Sequence, residues 1–223
     1  AIGRPFHFIA LGGASDSSYF DGHHYTYEGS KYGRIIEILI QSKCMNPIFY
    51  FDELDKVSDT QKGDEIIHLL THLTDSSQND RFQDNYFSGI DIDLSKALFI
   101  FSFNDENKID RVLKDRMYVI NTRGFKTHDK LNITKDYLLP ELLKSYNYKD
   151  SIIFNDEIIQ NIIENFTGNE EGVRNLKRCL ETIISKVNMY ELLYDDNNDK
   201  SMLDLDYTIK NFSIPYKVKK DDL

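Results

Sequence analysis

Two adjacent carboxylates, Asp52 and Glu53, directly follow Ile48-Phe49-Tyr50-Phe51, a run that is apolar at every position. An unbroken apolar run of this length is the pattern of a strand in a parallel sheet, where both faces are covered. A parallel sheet binds its ligands beyond the carboxyl ends of its strands, which is where these two acids would lie. The chemistry that suits such a pair is nucleotide hydrolysis. The first carboxylate holds Mg2+, usually through water, and the second orients the attacking water and takes its proton. A strand that simply ends in a charged turn accounts for these six residues equally well. Metal chemistry elsewhere is poorly supported. His68 and His72 share a helix face, but no glutamate of an HExxH motif accompanies them, so they read as polar positions on an amphipathic helix. Cys44 and Cys179 stand far apart and outside any CxxC pair, which excludes a disulfide framework and a structural zinc site.

The elements that would position the acids alternate between strand and helix. Residues His7 to Leu11 form a short apolar run stopped by Gly12-Gly13. Ile35, Ile36, Leu39 and Ile40 recur at helical spacing within Lys31 to Lys43, and Asp64 to Leu73 repeats the pattern. Ala97 to Phe103 (ALFIFSF) and Met117 to Asn121 (MYVIN) are further strand candidates, the first read as fully buried. Strands alternating with helices imply a parallel sheet with helices on both sides. After Gly124 the pattern becomes helical throughout. The spacing predicts one long helix over Thr127 to Tyr146 with a kink or restart near Pro140. A second runs over Asn155 to Phe166 with Asn155 as its cap, and a third over Glu170 to Leu193. The run from Asp195 to Lys200 reads as a loop or linker, and a strand is expected around Met202 to Leu205. Gly124 marks a hinge between the two parts.

Composition narrows the function further. The chain is 40% hydrophobic over 223 residues, enough for a sizeable core. No run approaches the roughly 20 apolar residues of a membrane span, and no signal peptide opens the sequence. An intracellular protein, cytoplasmic or in an organelle matrix and with no membrane partner, is expected. The formal net charge of −10 argues against a nucleic-acid partner, which would call for a basic footprint.

FDELDK, from Phe51 to Lys56, resembles the Walker B segment of Lon proteases within the AAA+ family, and the resemblance runs along nearly the whole chain. FHFIALGGASD is similar to the Lon strand leading into an LGG-x-x-D turn. GHHYTYEGSKYGRIIE is similar to the GHRRTYIGxxPGRIIQ segment that follows. The stretch QNDRFQDNYFSGIDIDLSKALFIFSFND resembles the one joining the second pore loop to the sensor-1 strand. LKDRM and EEGVRNLKRCLE resemble LLDRM and EAGVRxLER. The resemblance implies an α/β fold: an incomplete AAA+ P-loop NTPase-type parallel sheet, over residues 1–124, followed by an α-helical lid over 125–200, with 201–223 as lid end and linker. It implies ATP and Mg2+ as cofactors, with Asp52 toward the Mg2+ and Glu53 as catalytic base. Asn104 would be sensor 1, Arg116 the arginine finger offered to a neighbouring subunit, and Arg174 the sensor-2 contact to nucleotide. An arginine finger, the role implied for Arg116, is worth about a thousandfold or more in rate. Tyr27 would be the pore-loop aromatic that grips unfolded or misfolded protein substrate in a homo-oligomeric ring, by family a hexamer. The function implied is the ATP-hydrolysing motor of a Lon-like ATP-dependent serine protease. A protein-remodelling AAA+ ATPase without peptidase and a non-hydrolysing AAA+ scaffold are the rival readings.

The pattern fails in two places. After Tyr27 the family carries an apolar residue where this chain has Glu28, and its Met-Pro is replaced by Lys31-Tyr32. A carboxylate beside a gripping aromatic should weaken its hold on acidic or apolar substrates. Nor is there a GxxxxGK loop followed by Ser or Thr, the backbone cradle for β- and γ-phosphates. The first residues match the Lon segment just after that loop, and no serine–lysine peptidase region is present. The sequence is therefore expected to be part of a longer protein. Without the cradle, these 223 residues alone should bind Mg-ATP more weakly than the micromolar range and hydrolyse it negligibly. Isothermal titration giving micromolar affinity would overturn this.

Overall fold

The computed structural model describes the chain except residues 1, 15, 58, 149–150, 196–199, 202–208, 210–211 and 221–223. It divides into two compact units, Ala1–Ile120 and Asn121–Leu223. In the first, β1 (Phe6–Ala10), β2 (Ile48–Asp52) and β3 (Leu98–Phe101) form a parallel sheet in the order β1-β2-β3. Prolines lead into two of the pairings: the Pro5 carbonyl accepts from Ile48 N at 2.8 Å and that of Pro47 from Leu98 N at 3.1 Å. Proline has no N–H to offer a ladder, so it sits at the mouth of a strand and contributes only its carbonyl. Short α1 (Ser18–Asp21) and α2 (Arg34–Ser42) connect β1 to β2. Between β2 and β3 lies α3 (Gln61–Thr74), whose first turn is capped by the Thr60 hydroxyl accepting from Gly63 N.

The register explains the core. Phe49 lies opposite Phe99 and Phe51 opposite Phe101, and each pair stacks, with ring centroids 5.4 and 5.1 Å apart. Such offset pairs add to the burial of two large side chains. Ile35, Ile38 and Leu39 of α2 and Ile66, Leu70 and Leu73 of α3 cover this face. The other face departs from expectation. Phe6 and Phe8 are 57% and 54% exposed, and Leu98 and Ile100 are exposed beside half-buried Tyr50. The sheet is thus apolar on both faces but covered on one, and β3 is not the fully buried strand that ALFIFSF suggested. An apolar pattern reports what a face would bury, while burial needs a covering element, and among the described residues none lies on that side.

Met117 to Asn121, expected as a strand, forms no ladder. Its polypeptide leaves α4 (Arg111–Lys114) through a turn, and Tyr118 is 90% exposed. Sequence propensity is insufficient where no described strand offers it hydrogen bonds.

The second unit is helical. Its long pattern resolves into α5 (Thr127–Ile133), one π-turn over Thr134–Leu138 and α6 (Leu139–Ser145). Pro140 removes an intrahelical N–H, and the wider turn before it, closed by Leu139 N to Thr134 O, carries the axis past the missing bond. The short strand β4 (Ile152–Ile153) precedes α7 (Asp156–Asn165), and α8 (Arg174–Leu193) follows. Asn155 occupies the cap position of α7 without a side-chain hydrogen bond, and α8 begins four residues after the pattern's start at Glu170. Leu139, Ile159, Ile162, Leu180, Ile184 and Tyr190 are buried together in a second core. Short β5 (Tyr194–Asp195) pairs antiparallel with β6 (Lys200–Ser201), and β7 (Tyr216–Lys217) pairs parallel with β4. The strand expected near Met202 lies outside the described residues. No described helix is long and apolar enough to cross a membrane.

Phe51 is fully buried within the stacked pairs, so Phe51→Ala should destabilise the first unit by about 3–5 kcal/mol. Urea unfolding followed by tyrosine fluorescence checks this. A loss under about 1 kcal/mol, well below that range, would mean the pairs contribute little.

Candidate functional site

At the carboxyl edge of the sheet β2 ends on Asp52, and the chain turns at once. Glu53 adopts φ 60°, ψ 47°, a left-handed conformation that costs a non-glycine residue on the order of 1–2 kcal/mol. Three contacts hold it there. Leu54 N donates to Ser102 O at 2.9 Å, Lys56 N donates to Glu53 O at 2.9 Å, and Leu54 is buried in the core. Opposite, Gly12 makes room for the acid: a Cβ at that position would lie 2.9 Å from Glu53 Oε2. The Glu53 side chain is exposed at the sheet edge, and that of Asp52 is half-buried.

Ser102, one residue past β3, donates its hydroxyl hydrogen to Asp52 Oδ1. Asp55 is buried, its Oδ1 accepting from Asn104 N at 3.3 Å and its Oδ2 lying 3.7 Å from Lys56 Nζ. The structure therefore brings Asp52, Glu53 and Asn104 to one edge. Asn104 sits three residues past the strand end, exposed and fixed through its backbone. Ser102 and Asp55 were not singled out from sequence. The lone hydroxyl in ALFIFSF was the available signal for Ser102, while Asp55 looked like one more acid of a charged turn.

Arg116 is not joined to this group by any hydrogen bond or ion pair. It follows α4, and its guanidinium donates from Nη2 to Asp75 Oδ2 at 2.9 Å and from Nη1 to Val112 O at 3.0 Å. Asp75 is held down to about 2, first by the Ser77 hydroxyl and backbone N–H and then by Arg116. Arg174 opens α8 in the second unit, exposed and with no hydrogen bond or ion pair among the described residues. His72 engages Gln78, and no group of three His, Cys, Asp or Glu that could hold a metal occurs among the described residues. An all-protein metal cage is thus absent there. One half-buried carboxylate with a hydroxyl beside it is a hard oxygen set that fits Mg2+, an ion that keeps most of its waters.

Tyr27 projects from a loop between α1 and α2 and is 68% exposed. The loop's neck is tightly built. Asp84, fully buried, accepts from Gly33 N at 2.7 Å and from Tyr86 N at 2.9 Å, while Asn85 N donates to Asp21 O at 2.7 Å. Gly33 can only be glycine: a Cβ there would fall 2.0 Å from Phe20 O. Burial pushes the Asp21 carboxyl up to about 6, an effect enlarged by the charge of Asp84 and opposed by hydrogen bonds from its own backbone and Asn85.

A parallel sheet with an acid pair at its carboxyl edge, followed by a separate helical unit, is the layout of AAA+ motor ATPases. A family model described as the Lon protease AAA+ ATPase lid domain matches residues 145–200. The chain is 40% identical over 191 residues to a Lon protease homolog of Acanthamoeba polyphaga mimivirus, covering 85% of this chain and 19% of that protein. It is 39% identical over 204 residues to Lon protease of Clostridium acetobutylicum, covering 91% and 26%, and 43% identical over 188 residues to that of Clostridioides difficile, covering 84% and 24%. The chain thus spans about a fifth to a quarter of the length of these relatives. It is a Lon-family AAA+ segment.

Asp21 gives the neck a pH signature. With a folded value near 6 against an unfolded 3.8, its favourable protonated state is fully present below about 3.8 and lost as pH rises through about 6. Asp21→Asn lacks this dependence. Its stability relative to the unsubstituted chain should rise on the order of 1–2 kcal/mol across that interval, discounting for partial solvent access. Denaturation at stepped pH reads the difference, and parallel curves for the two proteins would refute it.

Proposed function

We propose that this chain is the ATP-hydrolysing motor part of a Lon-like ATP-dependent protease that unfolds and translocates protein substrates. The observation that carries this reading is the sheet edge. There a half-buried acid braced by Ser102 and an exposed acid in a left-handed turn stand beside Asn104, whose backbone is pinned by buried Asp55. Similarity to relatives named Lon protease supports it.

Asp52 would hold Mg2+ through water, and Mg2+ when bound neutralises charge on the phosphates. Glu53 takes the proton of the attacking water, for which its exposed carboxylate and fixed backbone suit it. Asn104 orients that water. Arg116 serves a neighbouring copy's site, held meanwhile by Asp75 and the Val112 carbonyl. Arg174, at the start of α8, contacts nucleotide from the lid. Tyr27, exposed on a loop with a rigid neck, contacts the unfolded polypeptide in the channel of a ring, by family a hexamer. An intracellular compartment follows from this function.

Glu53→Gln tests the reading in the protein that carries this chain. Loss of a general base should lower ATP turnover by about 100- to 10,000-fold while nucleotide still binds. Coupled ATPase assays and equilibrium binding separate the two effects. An unchanged rate would remove Glu53 as the base. Absence of nucleotide binding even in the unsubstituted protein would favour a scaffold.

A further inference from the structure

The Tyr27 loop differs in kind from the segment it resembles. Where GHRRTYIGxxPG carries arginine, isoleucine and proline, this chain has Tyr25, Glu28 and Tyr32. The three residues fare differently in the fold. Tyr32 belongs to the base: it stacks on Phe87 with centroids 6.0 Å apart and planes at 22°, and meets Tyr86 edge-on. Together with the Asp84 and Asn85 bonds, and with His23 N donating to Lys31 O at 3.1 Å, this fixes where the loop leaves the body.

Tyr25 and Glu28 belong to the tip. Two successive turns, Tyr27 N to His24 O at 3.2 Å and Ser30 N to Tyr27 O at 3.1 Å, lift residues 25–28 away from the base. Tyr25 is 66% exposed and Glu28 is exposed as well. From Tyr25 to Ser30 the tip carries one carboxylate, two exposed aromatic rings and no cationic side chain. Aromatic faces are electronegative and draw ammonium and guanidinium groups, and a carboxylate beside them adds direct attraction. The same tip repels an acidic segment and offers an apolar one only ring faces beside a charge that resists desolvation.

We infer that this loop selects extended polypeptide carrying Lys or Arg, with Tyr25 and Glu28 as its specificity-determining residues beside Tyr27. This rests on the reading that the loop touches substrate. Because the chain is acidic overall, the preference must be shown to be local. Rings and carboxylate fixed on a rigid neck act at contact distance, whereas charges elsewhere are screened within about 10 Å at ordinary salt.

The test is photo-crosslinking of the protein that carries this chain to unstructured peptides of matched length and hydropathy, cationic, neutral or anionic, with modified residues mapped by mass spectrometry. The cationic peptide should label residues 25–28 about five- to tenfold more than the anionic one, a margin that narrows at high salt. Glu28→Lys should reverse the order. Tyr25→Ala should reduce cationic labelling and spare the neutral peptide. Asp64→Lys, at an exposed position of α3, changes net charge equally and should leave the order intact. If peptides label the loop regardless of charge and Glu28→Lys changes nothing, the inference falls while the substrate contact stands. If no peptide labels residues 22–33, the contact itself is refuted.

Discussion

When Phe51 stacks on Phe101, the register between β2 and β3 is set, and every group at the carboxyl edge is placed by it. One residue beyond that pair, Ser102 N donates to Phe51 O, and three beyond Phe51, Leu54 N donates to Ser102 O. Ser102 thereby lies beside Asp52, and Asn104 beside Asp55. A slip of one residue would send each of these side chains to the opposite face of the sheet. The aromatic pairs therefore do more than fill the core, because they fix the spacing of the acids on which the proposed chemistry rests.

The turn at Glu53 shows how that order becomes local strain. A left-handed glutamate is unfavourable in isolation, and it persists because neighbours on both sides over-determine it. Leu54 is pulled into the core while Gly12 leaves space for the carboxylate. The result is an exposed acid on a backbone that cannot relax. Preorganisation of this sort lets a charged group act without first being ordered.

Much of this was legible in the residues. Runs of Phe and Ile marked β2 and the helices α2, α3 and α7, because apolar periodicity is a direct consequence of covering one core. The adjacent acids announced the sheet edge for the same reason. What the residues could not reveal was pairing at a distance. The Asp52–Ser102, Asp55–Asn104, Arg116–Asp75 and Asp84–Gly33 contacts link residues 41 to 51 positions apart. Each partner is a common polar residue with no pattern of its own. Likewise, MYVIN has the composition of a strand but no described neighbour, and ALFIFSF is apolar on a face that nothing described covers. Both show that propensity states what a segment can do, while partners decide what it does.

The Arg116 contact bears on how a motor of the proposed kind could recruit that arginine. Asp75 owes its lowered value first to Ser77, whose hydroxyl and N–H engage one carboxylate oxygen, and only then to Arg116. If Arg116 turns toward a neighbour's phosphate, Asp75 keeps its strongest partners and no buried charge is stranded. An exposed ion pair contributes little in water, whereas a guanidinium on a phosphate in a closed site forms short charge-assisted bonds. The balance thus favours release when nucleotide is present and retention when it is absent. Asp75 would hold the arginine in place between turnovers without competing seriously for it during one.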